Sequence, residues 1–364
     1  MLIRHQAGRL TSTTTLLMAT IMLLAGCGGG GGGGSGDMAP APVPSSSASS
    51  SSASSLASSS LASSASSSSS STASSVSSSS ASSVVSLYIT EPVIASCDVG
   101  VLKASERTVV LDKVNAIRAR HGLLPLAYDA SDDNAAAQAA MYMVANKTLT
   151  SAPNSGGLCY TADAARLAGT SNLYVYLTPA STTQNVPGTQ AIVSYLVNNG
   201  VGSLGLRRRL LNPFLGKTTY GRVDGQPAGT SFQYMSSVLK VVGNDVSDIS
   251  AMSNDFVAYP YGVYPASEFA TDWYLSFSAI ASKTNAASNG NAQVNFSGAT
   301  ITIMDGVTPL TVTDQATDYA AYGLPNSLQW KVIGLQPNVS YSVRIDNVIV
   351  NGLVRQYNYS FTLQ

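Results

Sequence analysis

From Ser45 to Ser86 the chain is almost pure serine, interrupted by scattered Ala, Leu, Val and Thr72, and it carries no charge. Such a stretch cannot bury enough apolar surface to offset the entropy of ordering it. Together with the glycine-rich run from Gly28 to Gly36 it reads as a tether. A Gly/Ser chain spreads as roughly 5–6 Å × √n, so about 60 residues reach on the order of 40 Å. Any fold must therefore come from the sequence after Ser86. That leaves about 275 residues, enough for one large or two smaller domains.

The N-terminus explains what the tether would be tied to. Arg4, His5 and Arg9 precede an apolar run around Leu16 to Leu24, and Leu24-Ala25-Gly26-Cys27 follows. The apolar run is too short for a membrane span and ends in small residues, the pattern of an export signal. The final tetrad resembles the bacterial lipobox, in which the chain is cut before the cysteine and the thiol is acylated. The expected order is a signal peptide over residues 1–26, a lipidated Cys27 and a tether over residues 27–86. Acyl chains contribute ~0.8 kcal/mol per buried CH2, so two or more hold a protein stably on a membrane. The expected location is the bacterial cell envelope, and the absence of Asp after Cys27 suits the outer membrane or cell surface.

Lys plus Arg balance Asp plus Glu, giving zero formal net charge. No basic stripe appears, so nucleic acid is not an expected partner. With Cys27 given to lipid, Cys97 and Cys159 remain, and an even pair in an exported chain is most simply a disulfide.

Periodicity outlines the folded part. Ser105 to His121 reads as a helix with Val110, Leu111, Val114 and Ile117 on one face, Ser105 as its cap and Gly122 as its stop. A second helix spans about Ser131 to Asn146, rich in the alanines that permit close packing. Residues 151–170 read as loop-rich; Ser171-Asn172-Leu173-Tyr174 follows, and then a polar loop to Pro187. A third helix fits Thr189 to Asn199. Phe214 to Val223 and Ser231 to Val242 alternate as strands. From about Asp255 the pattern changes to short alternating runs such as Trp273–Ala279, Ser327–Val332 and Gln356–Leu363. Turns such as Asp305-Gly306 and Asn351-Gly352 separate them, as in a small β-sandwich.

Gly205-Leu206-Arg207-Arg208-Arg209-Leu210-Leu211-Asn212-Pro213, followed by Gly216 and Gly221, is similar to the signature GHRRxLLNPxxxxxGxG of the CAP superfamily (cysteine-rich secretory, antigen 5 and pathogenesis-related proteins). Asn115-xx-Arg118 and the following His121-Gly122, Pro125-Leu126 and Asp129 resemble the opening of the same domain. The resemblance covers about Leu111 to Val242. It implies an α+β fold, an α-β-α sandwich over residues 87–254, with the β-rich module at 255–364 as a sandwich-like appendage.

The resemblance also implies a cleft with two histidines and two acidic residues, a donor set suited to Zn2+ or a related ion. Position by position the set is missing. Thr148 to Pro153 holds no histidine, the expected glutamate position is Ser171, and the signature histidine position is Leu206. The whole chain has two histidines, His5 and His121, and three glutamates, Glu91, Glu106 and Glu268. No metal, cofactor or catalytic residue is therefore expected.

His121, at a helix end, reads first as a capping cation; Arg207, Arg208 and His121 are the candidate ligand-binding residues. The resemblance suggests that some of these arginines brace the loop instead. Asp129, Asp132 and Asp133 could hold Ca2+, but helix N-terminal carboxylates are favoured by the dipole alone. No GxSxG elbow exists and Cys159 lacks a general base. Tyr319, Tyr322, Trp330, Tyr341, Tyr357 and Tyr359 either form a sugar-stacking surface on the module or fill its core.

The functional expectation is a surface-tethered, non-catalytic module that binds a lipid, glycan or protein ligand. The alternatives are an envelope hydrolase with an atypical site and a glycan adhesin acting through residues 255–364.

Overall fold

Five helices and a three-stranded sheet make the first layer set. The helices are α1 (Ala104–Arg120), α2 (Asp133–Ala145), α3 (Ala162–Gly169), α4 (Gly188–Val197) and α5 (Gly205–Leu210). The strands are β1 (Ser171–Pro179), β2 (Tyr220–Gly225) and β3 (Phe232–Lys240), antiparallel in the order β1-β3-β2. The computed structural model describes residues 86–182, 186–197, 203–269 and 271–364. The expected signal peptide, the lipidation of Cys27 and nearly all of the tether lie outside the described residues.

Strand alternation gives the sheet two apolar faces. Tyr234 and Val238 of β3 pack with the buried alanines and methionines of α2 and with α3. Met235 and Leu239, one residue out of phase, face Val110, Val114, Ile192 and Leu196 from α1 and α4. The α-β-α layering follows directly. The close approach of α2 depends on Gly221, where a Cβ would lie 2.3 Å from the Ala136 carbonyl carbon. Backbone cannot yield as a flexible side chain can. We expect Gly221→Ala to cost about 2–3 kcal/mol, read as a lowered urea midpoint at unchanged slope.

On the α1 face a buried polar network ties helix to sheet. Arg222 donates to both carboxylate oxygens of Asp224 at 2.6 and 2.8 Å and pairs with Glu106 at 3.3 Å. Tyr88 Oη also donates to Asp224, at 2.6 Å. Glu106 in turn accepts from the Gly188 amide at the start of α4. Burial of a guanidinium is tolerated here because both carboxylates meet it.

The C-terminal region is built from β4 (Phe256–Tyr259), β5 (Gly262–Tyr264), β6 (Leu275–Ala279), β7 (Thr300–Asp305), β8 (Thr311–Asp318), β9 (Ser327–Ile333), β10 (Ser340–Val350) and β11 (Leu353–Leu363). One sheet runs β8-β9-β6-β4 and the other is centred on β7-β10-β11-β5, with β5 pairing parallel to β11. Phe277, Trp330, Val343, Ile345 and Phe361 fill the space between them. Residues 86–364 belong to one compact unit, and one continuous apolar cluster runs from α1 and α4 into these strands.

Several sequence expectations change. Residues 151–170 are not all loop: α3 forms because Thr161 Oγ1 accepts from the Ala164 amide at 3.0 Å, a side-chain N-cap. The segment after Tyr174 continues as strand to Pro179, where β1 pairs with the whole length of β3. Phe214 and Leu215 precede the strand instead of forming it, because Asn212 Oδ1 accepts from the Phe214 amide and turns the chain. Helix α1 starts one residue earlier than read, and its cap position, Lys103, makes no side-chain cap. Trp330, Tyr341, Tyr357 and Tyr359 are buried, so they fill the core and form no sugar-stacking surface. Cys97 and Cys159 form the expected disulfide.

Candidate functional site

The signature segment folds into the short helix α5, and its three arginines point to different tasks. Arg207 is fully buried. Its Nε donates to the Leu196 carbonyl at 2.6 Å and Nη2 to the Val197 carbonyl at 3.3 Å. These are last-turn carbonyls of α4, which have no partner within their own helix. Its Nη1 reaches across to the Tyr274 carbonyl at 2.7 Å and Ser276 Oγ at 3.3 Å. The guanidinium also lies 4.0 Å above the Tyr259 ring, a cation–π distance.

Arg208 is buried as well. It donates to the carbonyls of Ser203, Ala320 and Leu324 and pairs with Asp318 at 2.9 Å. The loop that receives it passes so close that a Cβ on Gly323 would lie 2.4 Å from the Arg208 carbonyl oxygen. Gly323 also has φ +85°, so its position suits glycine twice over. Arg209 lies over Tyr322, 5.2 Å from the ring centre. Arg207 thus ties the end of α4 to the residue before β6, and Arg208 ties α5 to the segment between β8 and β9.

His121 also stacks with the Tyr259 ring, with centroids 5.9 Å apart. It is 1 % exposed, and Nδ1 lies 2.6 Å from the Ala258 carbonyl, so that nitrogen carries the proton and donates. Burial pushes its pKa down to about 3, with the guanidiniums of Arg120, Arg207 and Arg118 adding to the shift. The side chain is neutral, which corrects the reading of a capping cation. Arg207 and His121 do meet, but around a core tyrosine.

The depressed folded pKa carries a pH dependence. In the unfolded chain His121 takes up a proton below about pH 6.5, whereas in the fold it stays neutral to much lower pH. The stabilising contribution is full above that value and is lost as the pH falls from there towards the folded pKa. We expect wild type to lose about 1.4 kcal/mol more per pH unit than His121→Asn over that window; urea unfolding at several pH values measures it.

Ser171 and Leu206 fall elsewhere. Ser171 is buried at the start of β1, paired with Lys240. Its neighbour Asn172 reaches α5, donating from Nδ2 to the Leu206 carbonyl at 2.9 Å. Leu206 packs against the apolar cluster. The two positions are therefore brought near each other by Asn172, and neither offers a metal-binding atom beyond the Ser171 hydroxyl.

The aspartates are engaged with near neighbours. Asp129 accepts from the Ser131 hydroxyl and amide. Asp132 bonds to Arg166 and Lys240, which hold its carboxyl below the ordinary range. Asp133 accepts from Tyr128 Oη at 2.6 Å and pairs with Arg107 at 3.3 Å, while burial raises its pKa. Among the described residues no group of three or more His, Cys, Asp and Glu side chains is disposed to hold a metal.

Two buried groups were not legible as site residues. Arg118 spans Leu124, Leu210, Asn212 and Leu215 through their carbonyls. Glu268 lies under Lys113 and Arg120 of α1 and bonds to both. The Asn115-xx-Arg118 spacing was a usable signal for the first. Nothing in the local sequence marks the second.

The α-β-α layering and the Gly-x-Arg-Arg-x-Leu-Leu-Asn-Pro helix and turn agree with the fold that the CAP resemblance implies. Residues 111–201 match the model of the cysteine-rich secretory protein family, CAP, and the chain carries a domain of that family. No curated protein matches the sequence. Among solved structures it is similar to an outer surface protein from Borrelia burgdorferi, at 14% identity and a TM-score of 0.25, over 38% of this chain and 92% of that one. Among the described residues no helix is long and apolar enough to cross a membrane.

Proposed function

We propose that this protein is a non-catalytic CAP module, anchored in the bacterial envelope by lipid on Cys27 and carried on its serine tether, that binds a lipid, glycan or protein partner at the cell surface. The observation that carries this reading is the use made of the signature segment. Arg207 and Arg208 bond mainly to backbone carbonyls, to Ser276 and to Asp318, and Leu206 stands where the resemblance implies an imidazole. A scaffold kept for its shape, with its donor atoms removed, suits recognition better than hydrolysis. The Leu24-Ala25-Gly26-Cys27 tetrad and the charge-free serine run supply the anchor and the reach.

Two measurements test it. Isothermal titration of the purified protein with Zn2+ at neutral pH is expected to show no tight site; one tightly bound ion that His121→Ala removes would overturn the reading. Cys27→Ser is expected to abolish labelling by radioactive palmitate and to move the protein from the membrane fraction to the soluble one. Unchanged labelling would refute the anchor.

A further inference from the structure

A small cavity lies between α5 and the sheet of the C-terminal region. Its walls are Arg207 and Arg208 on one side and Tyr259, Ser276 and Ser278 on the other. Strand register places the latter three together: Ser276 faces Tyr259 and Ser278 faces Val257 across the β6–β4 pair. The remaining wall is apolar, from Leu211, Val257 and Leu324, and no acidic side chain lines the cavity. Its volume is about 20 Å³, which admits about one water-sized species and excludes an organic ligand.

The charge around this cavity is unbalanced. All of the hydrogen bonds of Arg207 among the described residues end on neutral oxygens, at Leu196, Val197, Tyr274 and Ser276. A buried guanidinium without a counter-charge is costly, and its pKa is pushed down to about 10 by that burial. Arg118, a second buried guanidinium, is likewise met by carbonyls alone. Donors are also left over. A guanidinium has five N–H groups, and the four bonds of Arg207 leave one unused. Arg208 Nε is buried and has no hydrogen-bond partner among the described residues. Its pairing with Asp318 runs through Nη1 on the far side of the fork.

We propose that this cavity is a binding site for a small monovalent anion of the halide class, chloride under physiological conditions. The Arg208 Nε–H, the spare N–H of Arg207 and the Ser276 hydroxyl supply the donors, and the ion supplies the charge that Arg207 lacks. Chloride is only slightly larger than water, so the cavity that would hold one holds the other. The two differ in charge, and charge is what the site is missing. Because the anion touches both α5 and the β4–β6 pair, it acts as a rivet between the CAP layers and the C-terminal strands.

The test uses the whole protein. Thermal unfolding is followed in sodium gluconate with increasing sodium chloride or bromide at constant ionic strength. A saturable rise of roughly 2–4 °C in Tm is expected with either halide. Crystals soaked in bromide are expected to show an anomalous peak within hydrogen-bonding distance of Arg207 and Arg208. Val257→Leu places an extra methylene in the cavity. It is expected to fold in gluconate and to lose at least nine-tenths of the halide-dependent rise. Equal Tm values in gluconate and halide, or density in the cavity without anomalous signal, would overturn the proposal in favour of a trapped water. Should the variant fail to fold, the bromide peak in wild type decides alone.

Discussion

Arg118→Met is expected to destabilise the protein by about 4 kcal/mol or more. Arg118 is buried and its guanidinium holds four carbonyls, at 2.9 Å to Leu124, 3.0 Å to Leu210, 2.9 Å to Asn212 and 3.2 Å to Leu215. Three of these belong to the signature segment and its turn. Methionine fills much of the volume but takes a donor from all four oxygens, of which that of Asn212 keeps the Leu215 amide at 3.2 Å; the cost is about 1–3 kcal/mol for each buried group left unsatisfied. Arg118→Lys restores a charge without the planar fork and is expected to recover less than half of the loss. Urea unfolding followed by circular dichroism measures both. A midpoint for Arg118→Met within experimental error of wild type would show that the carbonyls find other partners.

Removal of the disulfide comes next. Cys97 and Cys159 close a loop across 62 positions, and a loop of that length restricts the unfolded chain by about 4 kcal/mol in the chain-entropy account. The bond also holds the Ile94–Ser96 turn, through Ile94, against α2 and the segment that leads into α3. The double variant Cys97→Ser/Cys159→Ser is expected to lower stability by that amount while keeping its secondary structure in native buffer. Reductant should do the same to wild type and nothing to the variant. Identical unfolding midpoints with and without reductant would mean that the pair contributes no constraint.

Much of the fold was legible. Helix α1 could be read because Val110, Val114 and Ile117 recur at helical spacing, and all three are buried. The β-rich C-terminal region could be read from period-two alternation between turn residues. What local pattern missed has a common cause. Helix α3 is short, and its cap, Thr161, sits in a segment whose glycines and prolines read as loop. Helix α1 was capped at Ser105 on residue type alone, although the chain enters the helix from Lys103 in extended backbone. The tyrosines of the module were ambiguous because a strand presents either face, and only the partner sheet determines which one is covered.

The candidate site divides in the same way. The sequence by itself carried the family resemblance, the serine and leucine at the positions where that resemblance implies ligands (Ser171 and Leu206), and the small inventory of histidines, because these depend on which atoms are present. It also identified Cys97 and Cys159 as a pair. Only the tertiary structure decided what Arg118, Arg207, Arg208 and His121 do. A guanidinium carries the same charge and donors wherever it lies; its task is set by the acceptors that packing brings within about 3 Å. Here those acceptors include carbonyls from α4, the signature turn and the segments that connect the C-terminal strands, separated from the arginines by up to 116 positions. Burial made His121 neutral and left Arg207 without a counter-charge, and burial is a property of the whole packed molecule.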